Sequence, residues 1–421
     1  MVNPTLRFLI RLQVAALALA ALASPCVAQV GRAGAYQGYD WPNRHGPAYD
    51  NISREKGWTA TWPPSGPKIA WEKKVGIGFA SVSVDKGLLF TMGNDSNRET
   101  IYGLDANSGK VVWRHTYPAK LLPKLHEGGP TCTPTVADGR VFTLGKEGRV
   151  HCLEAETGQV VWQADLKKIL KIKTPEWGFA SSPLILDGQV IFQAGATISF
   201  DRNSGRQKWK SRAYPAAYTT PQPFTFGGAP GLAVLNSTGL VILNPTGGQE
   251  LSHYGWKTQY NTNATTPMIF GNTVFLSTGY KKGCALLKLG KGELQPVYAN
   301  KIMSNHMNNS VRVGEFLYGF DGNSHRNKLV DLVCMDLKTG KEAWRQRGLG
   351  CGSLLASDGK LIILSDRGVL VTAEATAAGY REIARAQVLG GKCWTVPVLA
   401  QGRVYCRNAK GDLVCVDLRP S

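Results

Sequence analysis

Two imidazoles and one carboxylate offer the sequence's clearest acid–base material. His126-Glu127 stand in one stretch and His306 in another. Brought together, they would make a metal or proton-transfer cluster. The local patterns that usually announce such chemistry are missing. No His-x-x-x-His or Cys-x-x-Cys spacing occurs, so a zinc site has no support. No Gly-x-Ser-x-Gly elbow and no Gly-x-x-x-x-Gly-Lys phosphate loop is found. What recurs is different: short segments in which aromatic and amide side chains gather. Trp177-Gly178-Phe179, Tyr218-Thr219-Thr220, Tyr260-Asn261-Thr262-Asn263, Asn305 to Ser310 and Cys393-Trp394-Thr395 are of this kind. A concave ring of aromatic walls with a few polar groups suits recognition. The candidate binding residues are His126, Glu127, Trp177, Tyr218, Asn261, Asn263, His306, Asn308 and Trp394, and no residue is assigned a catalytic or metal-binding role.

These segments are set between copies of one phrase. Leu104-Asp105-Ala106-Asn107-Ser108-Gly109 leads to Trp113, and similar phrases lead to Trp162, Trp209 and Trp344. The steps between tryptophans are 49, 47 and 135, the last being three periods of 45. A unit of that length is one small sheet that buries its face only by stacking on its neighbours. Within a unit, Ser/Thr-Pro pairs (Thr133-Pro134, Ser182-Pro183, Thr220-Pro221, Thr266-Pro267) precede an inner strand. Hairpin turns such as Asp138-Gly139 and Asp187-Gly188 follow. Four strands per unit and almost no helical periodicity predict an all-β chain, an eight-bladed β-propeller of four-stranded antiparallel blades.

Seven blades end near Trp113, Trp162, Trp209, Leu251, Tyr298, Trp344 and Ile383. The eighth lacks its outer strand. Lys68-Ile69-Ala70-Trp71-Glu72, 42 residues before Trp113, is expected to supply it and close the ring. Trp71, Trp113, Trp162, Trp209 and Trp344 are expected to dock blade on blade. Each such ring contributes about 2–3 kcal/mol when buried. The expected organisation is a signal peptide at 1–28, an N-terminal extension at 29–65 lying against the outside or one face of the disc, and the propeller at 66–421.

The leader reading rests on Arg7 and Arg11, the apolar run from Leu12 to Ala23, and Cys26-Val27-Ala28 before Gln29. It predicts a periplasmic or secreted protein cut near Ala28. Pro25 fits a lipoprotein site at Cys26 poorly. No apolar run is long enough to span a bilayer. The net charge is +19, and losing the two leader arginines leaves +17. Such an excess favours acidic partners, or simply meets water; Lys167, Lys168, Lys171 and Lys173 form its densest stretch. Of the cysteines beyond the leader, Cys152, Cys334 and Cys415 share one slot in three repeats, which reads as packing. Cys351 and Cys393, near inner strands of neighbouring repeats, are placed close enough for a bond to be considered.

The acidic-x-x-Ser/Thr-Gly-x-x-x-Trp phrases ending at Trp113, Trp162, Trp209 and Trp344 resemble the pyrroloquinoline-quinone-like β-propeller family. The likeness covers nearly all of residues 66–418. It implies one of two activities. One branch, the quinoprotein alcohol dehydrogenases, binds the quinone (PQQ) and calcium in the channel and clamps the quinone with adjacent cysteines. No Cys-Cys pair occurs here. The other, the barrel-assembly lipoprotein of the outer membrane, is a non-catalytic scaffold that docks partner loops. The expectation is therefore a monomeric, non-enzymatic binding protein without cofactor. Its partner would be an envelope protein or anionic polymer, not nucleic acid. A PQQ-dependent oxidoreductase is the alternative, and a carbohydrate-binding module is a third class.

Overall fold

The structure is a computed structural model and describes residues 38–124, 126–290, 292 and 294–420. The expected leader at 1–28, with Cys26, and the first part of the extension lie outside the described residues. Eight sheets make up the fold, and each carries four antiparallel strands that run outward from the channel. The first blade is Ser83–Asp85, Leu88–Asp95, Arg98–Asp105 and Val111–Pro118. The six outer strands after it hold the positions expected of them, from Val160–Asp165 to Glu382–Gln387. Among the described residues the helical pieces are short: an α-helix at Leu166–Leu170, capped by Asp165, and a 3-10 segment at Ser324–Leu329.

The eighth blade is assembled from both ends of the chain. Val398–Ala400, Arg403–Arg407 and Asp412–Asp417 are completed by Lys68–Lys74. The register pairs Trp71 with Cys415 and Ile69 with Val416, with a bulge between. Closure also has a polar clasp. Arg407 donates from Nη1 to the carbonyls of Ala80 (2.7 Å) and Met92 (2.6 Å) and to Thr91 Oγ1 (2.9 Å). Its Nη2 donates to the Gly76 carbonyl at 2.9 Å. One side chain of the last blade thus satisfies the backbone of the first, which a buried guanidinium must do to be tolerated.

Blade docking follows one rule. Trp71, Trp113 and Trp162 lie over the turn glycines of the next blades, Gly109, Gly158 and Gly205, and an outer-strand indole N–H donates to a carbonyl beside that turn. Trp71 donates to Ala106 (3.1 Å), Trp113 to Ala155 (2.7 Å), Trp162 to Arg202 (3.0 Å) and Trp344 to Thr376 (2.8 Å). Gly158 shows why glycine is needed: its φ is +70°, and a Cβ there would stand 2.4 Å from the Trp113 ring. Trp209 differs. Its N–H donates to Gln189 Oε1 within its own blade, and Gln189 Nε2 reaches on to the Pro245 carbonyl of the next.

The Ser/Thr-Pro segments have a second purpose. Each hydroxyl accepts the backbone N–H of the preceding blade. Ser81 donates to Thr133, Thr133 to Ser182, Ser182 to Thr220 and Thr220 to Thr266, at 3.0–3.2 Å. Thr266 continues the circuit to Asn309 Oδ1 at 3.0 Å. Backbone donors that face the channel are satisfied by the neighbouring blade in place of water.

The described part of the extension crosses the channel. Trp41 bridges to Val84 of the first blade, and the Pro42 carbonyl accepts from Val136 of the second. His45 meets Thr266 of the fifth, and Ile52–Ser53 adds a parallel strand to Ser353–Ser357 of the seventh. Asp40, Glu55 and Gly57 bond to the hairpin turns of the first, eighth and seventh blades. The segment therefore covers the face that carries those turns, and the aromatic segments open on the opposite face.

Candidate functional site

A cavity of ≈370 Å³ occupies the channel on that opposite side. Its walls come from loops that join the outer strand of one blade to the inner strand of the next. His126, Trp177, Tyr218, His306, Asn308 and Trp394 all line it. The remaining three candidates do not. Glu127 turns aside to pair with Lys392 at 2.9 Å. Asn263 is fully buried, and its amide donates to the carbonyls of Asn236 (2.7 Å) and Trp256 (3.1 Å). Asn261, at φ +51°, is carried into an adjoining depression beside Glu176 and Lys257.

The walls form two aromatic groups. On one side Phe79 stacks on Trp394, with ring centres 5.5 Å apart and planes 23° from parallel. His126 stands edge-on to Phe79 and beside Trp177, both at 5.3 Å. On the other side Tyr280 meets His306 at 5.0 Å and also contacts Tyr260 and His325. His306 Nε2 lies 3.1 Å from the Tyr280 hydroxyl, and its Nδ1 accepts from the Ser324 N–H. His126 Nδ1 accepts from Gly128 N–H at 3.0 Å. Burial pushes both imidazoles down to about 4, helped at His126 by Lys146 and Lys392 and at His306 by His325. Both rings are neutral near pH 7 and already hydrogen-bonded. They belong to separate groups, each packed by its own aromatic neighbours.

Several wall residues escape sequence reasoning. Arg44 comes from the extension, which has no repeat to locate it. Lys146 lies in the Lys146-Glu147-Gly148 turn, where a lysine ordinarily meets solvent, yet it is 1% exposed. Lys392 stands two residues before Trp394 and covers that ring at 4.6 Å. Tyr280 and His325 sit in turns without a repeat signature.

The calcium implied by the dehydrogenase resemblance does not fit these residues. Calcium needs six to eight oxygen ligands, several of them carboxylates. Glu127 is taken by Lys392, and among the described residues no group of three His, Cys, Asp or Glu is placed to hold a metal ion. The quinone clamp does not fit either. Cys351 and Cys393 are free and buried, as are the other described cysteines, and burial pushes both thiols up to about 12. The disulfide considered for that pair is not formed. Trp394, the ring nearest to a stacking role, has one face already taken by Phe79.

Comparison with known proteins finds the same fold. Residues 97–346 match the family model described as outer membrane protein assembly factor BamB. No curated protein matches the sequence. Among solved structures, BamB from Moraxella catarrhalis aligns with a TM-score of 0.63 at 13% identity, over 84% of this chain and all of that one. The quinohemoprotein alcohol dehydrogenase from Comamonas testosteroni gives 0.62 at 14% identity, over 91% and 81%. A europium-containing methanol dehydrogenase gives 0.63 at 11%, over 90% and 89%. These likenesses show the fold, and a match over more than half of its length places the chain in the BamB family of PQQ-like β-propellers.

Proposed function

We propose that the protein is a non-catalytic docking protein of the cell envelope, exported by its N-terminal leader. It holds a partner protein at the aromatic mouth of the channel. One observation carries this reading: Trp177, Tyr218, Tyr280 and Trp394 converge on one cavity, and Tyr260 stands 60% exposed beside Tyr280. Buried aromatic anchors with an exposed aromatic neighbour are the composition of protein-binding hot spots. The family's description, an assembly factor of the outer membrane, supports the same class of partner. Part of the polar wall is internally bonded. Asn308 donates to the carbonyls of Gly352 and Trp394, so the mouth keeps its shape without a ligand.

Affinity capture from envelope extract tests the proposal. The intact protein retains a defined partner, and a Trp177→Ala/Trp394→Ala variant of unchanged melting temperature loses it. Equal retention by both proteins contradicts the reading.

A further inference from the structure

The loops of the propeller divide charge unequally between its two faces. Strands alternate in direction within each blade. The loop that enters the inner strand and the turn between the second and third strands therefore open on the mouth face. Among the described residues these segments carry seventeen Lys and Arg against four Asp and Glu. The turns on the strap side, with the chain end, carry eight against five, and the strap itself, at 38–67, carries three of each. Lys146 is buried with Glu99 close by as counter-charge, so it adds nothing to the outer surface. Three of the four mouth-face acids are already paired, Glu127 with Lys392, Glu147 with Lys167 and Glu176 with Lys124. Lys168, Lys171, Lys173, Lys257, Lys281 and Lys328 are exposed and make no ion pair among the described residues. Such crowding of one sign repels itself and attracts anions. Apolar exposure follows the same asymmetry. The two most exposed large apolar side chains among the described residues are Leu329, at 62%, and Tyr260, at 60%. Both stand in mouth-face loops, Leu329 directly after Lys328 and Tyr260 shortly after Lys257.

We infer that the mouth face docks on the surface of an anionic phospholipid bilayer. The exposed lysines meet the headgroup phosphates, and Leu329 and Tyr260 enter the interfacial layer, where a tyrosine ring is favoured. The distribution of charge selects a membrane among polyanions. The cations come from loops all round the ring, from Lys120 after the first blade to Lys410 in the eighth. An acidic peptide needs one patch and a linear polymer one track, whereas an extended anionic surface meets a whole face at once. Apolar side chains set among the cations add burial that a hydrated polymer does not provide. A protein held at the mouth is then one that itself sits in or on that membrane. This goes beyond the docking proposal, which rests on the aromatic cavity inside the rim. Lipid vesicles contain no protein partner, so the two fail separately.

Cosedimentation of the full chain with vesicles tests the inference. One set is an equal mixture of phosphatidylglycerol and phosphatidylcholine, and the other is phosphatidylcholine alone. Binding to the anionic set is expected to be about tenfold tighter or more, and to weaken at raised salt. The leader is common to every variant and cancels when variants are compared. Lys168→Gln/Lys257→Gln/Lys328→Gln is expected to weaken anionic binding by about tenfold or more. Lys86→Gln/Lys110→Gln/Lys341→Gln removes the same charge from the strap side and is expected to change it by less than about twofold. Leu329→Ser is expected to weaken vesicle binding by about tenfold and to leave retention on heparin unchanged. All these side chains are exposed, and near-ultraviolet circular dichroism checks that each variant folds. Equal binding to the two vesicle sets overturns the inference. So does an equal loss from the two triple variants. Retention on heparin without binding to anionic vesicles also overturns it and makes a soluble polyanion the ligand.

Discussion

The indole N–H of Trp71 donates to the carbonyl of Ala106 at 3.1 Å. Trp71 is hydrogen-bonded in register with Cys415 of the last blade, so this contact joins last blade to first. Trp71→Phe removes one buried hydrogen bond and should cost about 1 kcal/mol. Trp71→Ala should cost about 3–5 kcal/mol. Gly158→Ala, which meets the Trp113 ring at a positive φ, should cost more than about 1 kcal/mol. Urea denaturation measures all three. Equal stability of Trp71→Ala and the parent would mean that the ring does not depend on this strand.

Arg407 and Arg381 predict opposite outcomes for the same residue type. Arg407 is buried and bonded to three backbone carbonyls of the first blade. Arg407→Met leaves those acceptors without their donor and should cost about 3–5 kcal/mol. Arg381 pairs with Glu374 at the surface, and Arg381→Ala should change stability by less than about 1 kcal/mol. Matched denaturation curves check the contrast.

Ring closure and blade boundaries were legible because both rest on a repeated local cause. A turn that needs glycine and a ring that covers it recur every 45 or so residues, and counting them leaves the last blade one strand short. The channel face was legible only in part. Trp177 and Trp394 lie where their loops suggested, but Asn261 and Asn263, two residues apart and of one type, part company. A positive φ turns the first outward, and two backbone carbonyls capture the second. Arg44 and Lys146 were hidden because their inward turn depends on contacts from distant segments, through Val84 and Val136 for the strap and Glu99 for the lysine.

Stability should fall on mild acidification. Burial pushes His45 and His151 down to about 3, and His126 and His306 to about 4. Unfolded histidine titrates near 6.5, so between these values the unfolded chain binds more protons. Their contribution is complete above about pH 6.5 and is lost as pH falls towards 4, at about 1.4 kcal/mol per pH unit for each fully buried ring. Glu99 opposes them. Burial pushes it up to about 7, so its contribution grows as pH falls through the window from about 7 to its unfolded value near 4.3. His115, also lowered by burial, adds to the loss, while Asp50, Glu55 and Asp85, raised by burial, act with Glu99; the strongly shifted histidines leave a net loss. Denaturation midpoints near pH 7 and pH 5 should show it, and His151→Gln should reduce the difference. A midpoint that rises on acidification contradicts the assignment.

The cysteines should be silent in the folded protein. All eight described thiols are free and buried. A thiol reagent should label none of them under native conditions and all of them in denaturant, with no mass change on prior reduction. Rapid native labelling, or a two-proton mass difference, would contradict the packing described for Cys351 and Cys393.

Site-specific photocrosslinking tests the docking claim most directly. A photoreactive phenylalanine at Tyr260, beside the mouth, is compared with one at Val112, which is 50% exposed on the outer strand of the first blade. The account predicts a discrete crosslinked protein partner from position 260 in envelope extract and none from position 112. A partner captured from 112 and not from 260 would contradict it.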